Sequence, residues 1–358
     1  MSIEKQVQDI LDNAVKAYKG CGMQFCAIKD DQCVVNACAG FTSEAMTEKV
    51  NTRTLFPVYS TSKTVPATAL TRLIAKGKIS PDQLVTDIWP EFGKNGKEKT
   101  LVRHLLNHTS GLPQRFKEQS SYEAVCDWEY MIHTIENSHC DWTPGTQARY
   151  QSLTYGWVTM ELVQRVTGMS FKEYIAKELG LKEDGDFIFG TNDEIEKRIS
   201  DFRLPSENDK TSGFTICDPL DDLMRQKCIR EAVLPGFNGF ASAYGLANFM
   251  NKVNNCDYFS RRVLMDAISP EYSPAKDNPV IGSTKIFGYG FALTGPAGDL
   301  GKFYGHGGYG GSFAIADRDN NITCGFTTNI IGGQDEIRDE LFKLFGIERC
   351  LNWKKEEA

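Results

Sequence analysis

Apolar residues recur along this chain first on a helical period, then on a strand period, and the switches between the two mark its parts. Ile3, Val7, Ile10, Leu11, Val15 and Tyr18 fall on one helical stripe, which predicts an amphipathic N-terminal helix with Gly20 where a helix end takes a left-handed residue. Gly22 to Gly40 reads as two apolar strands joined at Asp30-Asp31, followed by an extended segment to Tyr59. From Ser60 to about Gly236 the spacing turns helical: Ala67-Leu70-Ile74, Val102-Leu105-Leu106, and Val158-Leu162-Val166 closed by Gly168. Ser170-Phe-Lys-Glu173 is a capping box that opens a helix through Leu179. Alternation returns in Phe287 to Leu293, Phe313 to Ala316 and Ile322 to Thr328, and a last helix spans Asp335 to Phe345.

This order requires strands from both ends of the chain to pair around a long helical insert. The expected division is a discontinuous sheet subdomain of residues 1–62 and 240–358 and a mainly helical subdomain of residues 63–239, with the active site between them. No internal repeat or low-complexity tract interrupts the pattern.

Composition narrows the partners. With 358 residues, 41% of them hydrophobic, the chain can bury a sizeable core and hold a cleft. A net charge of −7 and the lack of a basic run exclude nucleic acid as the expected partner. The start carries no basic region followed by an apolar run, and the longest uncharged stretch, Ala232 to Met250, holds Pro235, Asn238, Asn248 and several glycines. The expectation is a cytoplasmic chain without a membrane partner. Eleven cysteines, an odd number, are read as reduced thiols. Cys21, Cys26, Cys33 and Cys38 form two C-x4-C pairs inside the strands; without the short C-x-x-C spacing they are read as core residues, and no metal is expected.

Three short patterns carry chemistry. In Tyr59-Ser60-Thr61-Ser62-Lys63, at the opening of a helix, Ser60 and Lys63 lie three apart and face one side. A serine hydroxyl needs a base to become a nucleophile, and a lysine serves only where burial and positive potential lower its pKa. Alone, the pattern reads as a helix cap followed by a solvated lysine. Pro66 predicts an irregular first turn, since it lacks a backbone donor. Tyr150, downstream of the Pro144-Gly145 turn, is a phenol that could share a proton with a lysine; its bland role is a buried aromatic. Gly305-His306-Gly307-Gly308-Tyr309-Gly-Gly311 leads into a strand rather than a helix, which favours an oxyanion-binding edge over a phosphate loop. His104 and His108, four apart, lack the intervening Glu and third ligand of a zinc site, so packing and capping are expected of them.

Taken together, these patterns resemble the serine β-lactamase and penicillin-binding-protein superfamily, in its class C-like, family VIII carboxylesterase-type branch. The resemblance runs through Tyr59 to Lys63, Val102-Arg-His-Leu-Leu-Asn-His-Thr-Ser-Gly-Leu-Pro113, Pro144-Gly-Thr146, Tyr150, Asn238-Gly239, Phe287-Gly-Tyr-Gly290 and Gly305-His-Gly-Gly308. It implies an α+β fold: an antiparallel sheet flanked by N- and C-terminal helices, with an inserted helical subdomain. By the same resemblance Ser60 attacks an acyl carbon, Lys63 and Tyr150 share the proton, and the N–H groups of Ser60 and Tyr309 hold the oxyanion. His306, Gly307 and Gly308 line the substrate edge, and no cofactor is implied. Two positions depart from the lactamase pattern: Ser152 replaces the Asn of Tyr-x-Asn, and His306-Gly307-Gly308 replaces Lys-Thr-Gly. Both favour a small-molecule ester over a lactam or a peptide. The alternatives are β-lactamase or D,D-peptidase activity, and a non-catalytic member of the fold.

Overall fold

The computed structural model describes residues 1–18, 21–113, 121–202, 223–270, 286–296, 298–331 and 335–347. Its strands are β1 (Gly22–Lys29), β2 (Gln32–Gly40), β3 (Phe56–Pro57), β4 (Phe187–Ile188), β5 (Phe240–Ala241), β6 (Ile286–Phe287), β7 (Ala292–Thr294), β8 (Phe303–Gly307), β9 (Phe313–Asp317) and β10 (Ile322–Thr328). The chain divides into two compact units. One holds Met1–Ser62, Gly180–Asn255 and Gly305–Ile347; the other holds Lys63–Leu179 and Cys256–Tyr304.

In the first unit strands from both ends of the chain do pair. β1 runs antiparallel to β10 with Met23 opposite Thr328 and Phe25 opposite Phe326, and the order continues β2-β1-β10-β9-β8. Seven of the eight residues of β1 are buried, so it is covered on both faces. Phe25 meets Phe345 at 5.3 Å between ring centroids, and Phe313 meets Phe342 at 4.7 Å, which anchors the C-terminal helix Asp335–Leu344. Against the other face Cys26 packs on Ala243 and Ala247 of the helix Ala243–Asn254. That helix approaches so closely that a Cβ on Gly325 would lie 2.2 Å from the Ala243 carbonyl oxygen, so only glycine fits there.

The expected division into residues 63–239 and 240–358 shifts at its far boundary. Residues 180–255 cluster with the sheet because β4 and β5 pair with β3 in a small second sheet of order β3-β5-β4. Residues 256–304 cluster with the helices. The stretch Phe287 to Leu293, read as one strand, is instead a tight hairpin of β6 and β7 in which Gly290 turns at φ 82°. Gly20 lies outside the described residues.

The second unit is mainly helical. Arg72, on the helix Thr64–Ala75, pairs with Glu178 at 2.8 Å on the helix Phe171–Leu179. The capping box is present, with Glu173 accepting from Ser170 N at 2.8 Å, and Gly168 ends the helix Thr154–Thr167 at φ 69°. Pro66 sits in the first turn of its helix, where no backbone donor is required, and a 3-10 turn over Tyr59–Lys63 precedes it, giving the irregular start. No helix among the described residues is long and apolar enough to cross a membrane.

Two polar side chains in these units have measurable consequences. Gln24, 1% exposed on β1, accepts from Ala243 N at 2.8 Å and Thr327 Oγ1 at 3.1 Å and donates to Asn51 O at 2.6 Å and Thr54 O at 3.0 Å. Gln24→Met keeps the volume and removes all four bonds, so the urea midpoint should fall by the equivalent of about 3 kcal/mol. An unchanged midpoint would contradict this. His104 is held down to about 4, chiefly by burial and then by the Arg103 charge, from an ordinary 6.5. Its Nδ1 accepts the Leu101 N–H at 3.2 Å. Between pH 6.5 and 4 the unfolded chain takes the proton that the fold refuses, so stability declines as pH falls through that window. Thermal melts of His104→Asn, which keeps an acceptor but cannot titrate there, should show a shallower decline than the wild type.

Candidate active site

Ser60 is presented by a strained turn. After β3 the chain reaches Tyr59 at φ 45°, a left-handed conformation that a bulky side chain rarely adopts and that costs about 1–3 kcal/mol. The 3-10 turn that follows, closed by Thr61 N donating to Val58 O at 3.0 Å, repeats every three residues. Positions 60 and 63 therefore lie on the same side of it. Ser60 is partly exposed, whereas Thr61, Ser62 and Lys63 are fully buried.

Within the first unit the glycine-rich segment braces this turn. A Cβ on Gly308 would lie 2.2 Å from Val58 O and 2.9 Å from Thr61 Oγ1. Thr61 Oγ1 donates to Ser312 O at 3.2 Å, Gly308 N donates to the same carbonyl at 2.7 Å, and Tyr59 and Tyr309 meet edge to face at 5.4 Å. The segment is not a plain loop: β8 runs to Gly307, and a short turn over Tyr309–Gly311 leads to β9. Gly239 closes the other side. Its N–H donates to Ser62 Oγ at 2.9 Å and its carbonyl accepts Val58 N at 2.9 Å. His306 is buried, and its Nδ1 lies 2.7 Å from Gly307 O; that nitrogen must carry the proton, since a carbonyl only accepts.

The second unit gathers the amine and the phenol. Lys63, with no exposed surface, donates from Nζ to Ser152 O at 2.7 Å. The same nitrogen lies 5.1 Å from the ring centroid of Tyr150 and 5.9 Å from that of Tyr155. The Tyr155 hydroxyl is wholly buried, and its pKa is pushed up by that burial and then by Tyr150. A Cβ on Gly290 would lie 2.1 Å from the Tyr155 oxygen, which explains a glycine at the β6–β7 turn.

His108, expected to pack and cap, packs here. Its ring, 1% exposed, lies 4.9 Å from Tyr150, 4.9 Å from Tyr155 and 4.4 Å from Phe287. Residues 108–113 are laced to the segment that carries Tyr150: Arg149 N donates to His108 O at 3.0 Å, Gly145 N to Thr109 O at 2.8 Å and Asp141 N to Gly111 O at 2.9 Å. The His-Thr-Ser-Gly-Leu signature and the Pro144-Gly145 turn are thus two sides of one backbone arrangement. Spacing alone gives Tyr155 no role, and Phe287, though part of the Phe287-Gly-Tyr-Gly290 motif, reads by spacing as one more apolar strand residue. His104 does not join this group, and its Nε2 instead approaches Gly145 so closely that a Cβ there would lie 2.7 Å away. Among the described residues no group of three His, Cys, Asp or Glu side chains could hold a metal ion.

Comparison with known proteins gives the family and the fold. The Beta-lactamase family pattern matches residues 7–345. Esterase/beta-lactamase LipL of Mycobacterium tuberculosis is 23% identical over 331 residues, which cover 84% of this chain and 75% of that protein. A solved family VIII carboxylesterase shares the fold with a TM-score of 0.83 at 23% identity, over 96% of this chain and 97% of its own. A penicillin-binding protein homologue from Caulobacter crescentus does so with a TM-score of 0.82 at 22% identity, over 97% of each chain. These structures share the α+β architecture expected from the resemblance, and the match over nearly the whole sequence makes this chain a member of the Beta-lactamase family.

Proposed function

We propose that the protein is a serine hydrolase that cleaves small acyl esters through an acyl-Ser60 intermediate. One observation carries this reading. Lys63 is fully buried, fixed by the Ser152 carbonyl and flanked by two phenol rings, yet stands one turn from a partly exposed serine. Burial alone does not mark it, since Lys97 is as buried against the Glu136 carbonyl and the Phe92 ring; what sets Lys63 apart is its pair of phenol rings and its place one turn after Ser60.

In the proposed cycle Ser60 Oγ attacks the acyl carbon while its proton passes to the Lys63–Tyr150 pair. The N–H groups of Ser60 and Tyr309 stabilise the oxyanion, and losing one such donor typically costs about 10²–10³ in turnover. The bond to the alcohol oxygen then breaks as that oxygen takes the proton back from the pair. Water next attacks the acyl carbon, gives its proton to the same pair, and Ser60 leaves reprotonated. His306, Gly307 and Gly308 form the edge along which the acyl group lies.

The likeness of fold falls almost equally on a carboxylesterase and a penicillin-binding protein homologue, so the side chains decide between them. Ser152 contributes its carbonyl to Lys63 and offers no amide to a peptide-like substrate. His306 turns its Nδ1 proton to Gly307 O, where the lactamase pattern has a lysine ammonium for a carboxylate. Both changes favour an uncharged ester. A reducing, cytoplasmic setting suits the exposed thiols of Cys33 and Cys228, neither of which is in a disulfide.

Turnover of p-nitrophenyl butyrate tests the reading. Ser60→Ala should lower kcat by about 10³-fold or more, since removing a serine nucleophile leaves only binding and oxyanion stabilisation. Equal rates in the two proteins would remove Ser60 as the nucleophile. Faster turnover of nitrocefin than of the ester would favour the lactamase alternative.

A further inference from the structure

We infer that His108 is the positioning residue that holds Tyr150 and the Ser152 carbonyl against Lys63, through the hydrogen bond that its Nδ1 accepts from the Gln151 N–H. This inference rests on the serine-hydrolase reading above and adds a part to its machinery.

Residues 150 to 153 lie in neither a helix nor a strand, so no ladder fixes them. Tyr150 puts its ring over the Lys63 nitrogen and Ser152 puts its carbonyl on the same nitrogen, which leaves Gln151 between two groups that must both stay put. The Gln151 N–H is buried, and a buried backbone donor needs an acceptor. That acceptor is His108 Nδ1, at 3.3 Å. The same histidine receives Arg149 N on its carbonyl at 3.0 Å and stacks its ring at 4.9 Å from Tyr150. One residue therefore touches positions 149, 150 and 151, while Lys63 touches 150 and 152.

Geometry fixes the chemical form that this requires. An imidazole nitrogen accepts only without a proton, so His108 must hold its proton on Nε2. Its own backbone is left-handed, at φ 63°, a conformation that Asn and His tolerate better than most residues. Losing the acceptor would leave the Gln151 N–H unsatisfied and free the strip to shift. A displacement of about 1 Å in groups that move a proton costs about 10²-fold in rate. The loss should fall on kcat rather than KM, because the strip holds proton-transfer groups and not the acyl chain.

Two substitutions separate this role from packing. In His108→Asn the side-chain oxygen reaches the position of Nδ1, whereas in His108→Gln the amide extends to the position of Nε2 and leaves Gln151 without an acceptor. With p-nitrophenyl butyrate, His108→Gln should lose about 10²-fold in kcat at little changed KM, and His108→Asn should stay within about tenfold of wild type. Should His108→Gln fail to fold, His108→Asn decides alone. A folded His108→Asn that loses more than tenfold, or a His108→Gln that keeps the wild-type kcat, would overturn the inference. Ser60→Ala in the same assay keeps the two claims apart: if it is inactive while His108→Gln is not, only the role of His108 fails, and if it is active the hydrolase reading fails first.

Discussion

An amine taken wholly out of water must find substitutes for its hydration, and the second unit is built around supplying them to Lys63. A backbone carbonyl at 2.7 Å and two aromatic faces within 6 Å are what it receives. In its charged form such an amine gains about 1.5–3 kcal/mol from a hydrogen bond of this kind and about 2 kcal/mol from an aromatic face. Taking the charged form out of water costs several kcal/mol, so each of these contacts counts, and the uncharged form, which the proposed proton transfer needs, is the cheaper one to bury. The requirement spreads outward. Ser152 must sit at one spot, which ties down the strip from Arg149 to Ser152, and that strip is laced in turn to residues 108–113. Glycines at 111, 145 and 290 stand where a Cβ would strike Trp142 O, the His104 ring or the Tyr155 hydroxyl.

The first unit solves a different problem, which is to present a serine at the end of a buried strand. Tyr59 accepts a left-handed backbone so that the chain can turn at once into a 3-10 turn. The strain is held by neighbours on both sides: Gly308 fits against Val58 and Thr61, and Gly239 fits against Ser62. The substrate edge proposed for His306, Gly307 and Gly308 belongs to the same braced segment, which gives Gly308 a steric reason whatever its chemistry. Small residues let two backbones come within van der Waals range, which an oxyanion site also demands.

Much of this was legible in the sequence, for identifiable reasons. The buried stripe through Val7 and Leu11 located the N-terminal helix, short apolar runs located the β1–β2 hairpin and the last two strands, and the capping box at Ser170 located the helix that follows it. A three-residue spacing puts positions 60 and 63 on one side of a 3-10 turn as well as of an α-helix, so that expectation does not depend on which forms. Other features were hidden. Phe287 to Leu293 alternates like one strand, and only the left-handed Gly290 shows it to be a hairpin. Residues 180–255 follow the sheet through two-residue strands too short to have a period. His108 reads as a packing residue at any spacing, since its role depends on a backbone N–H more than forty positions away. Tyr155 and Phe287 are indistinguishable from core aromatics until their rings are seen around that imidazole.

The central claim is that a buried amine activates the hydroxyl one turn before it. Peptide mapping of wild-type and Lys63→Ala protein after exposure to a fluorophosphonate tests this most directly. The account predicts a single phosphonyl adduct on Ser60 in the wild type and almost none in the variant over the same time. An adduct on a different residue, or equal modification of Ser60 with and without Lys63, would contradict it.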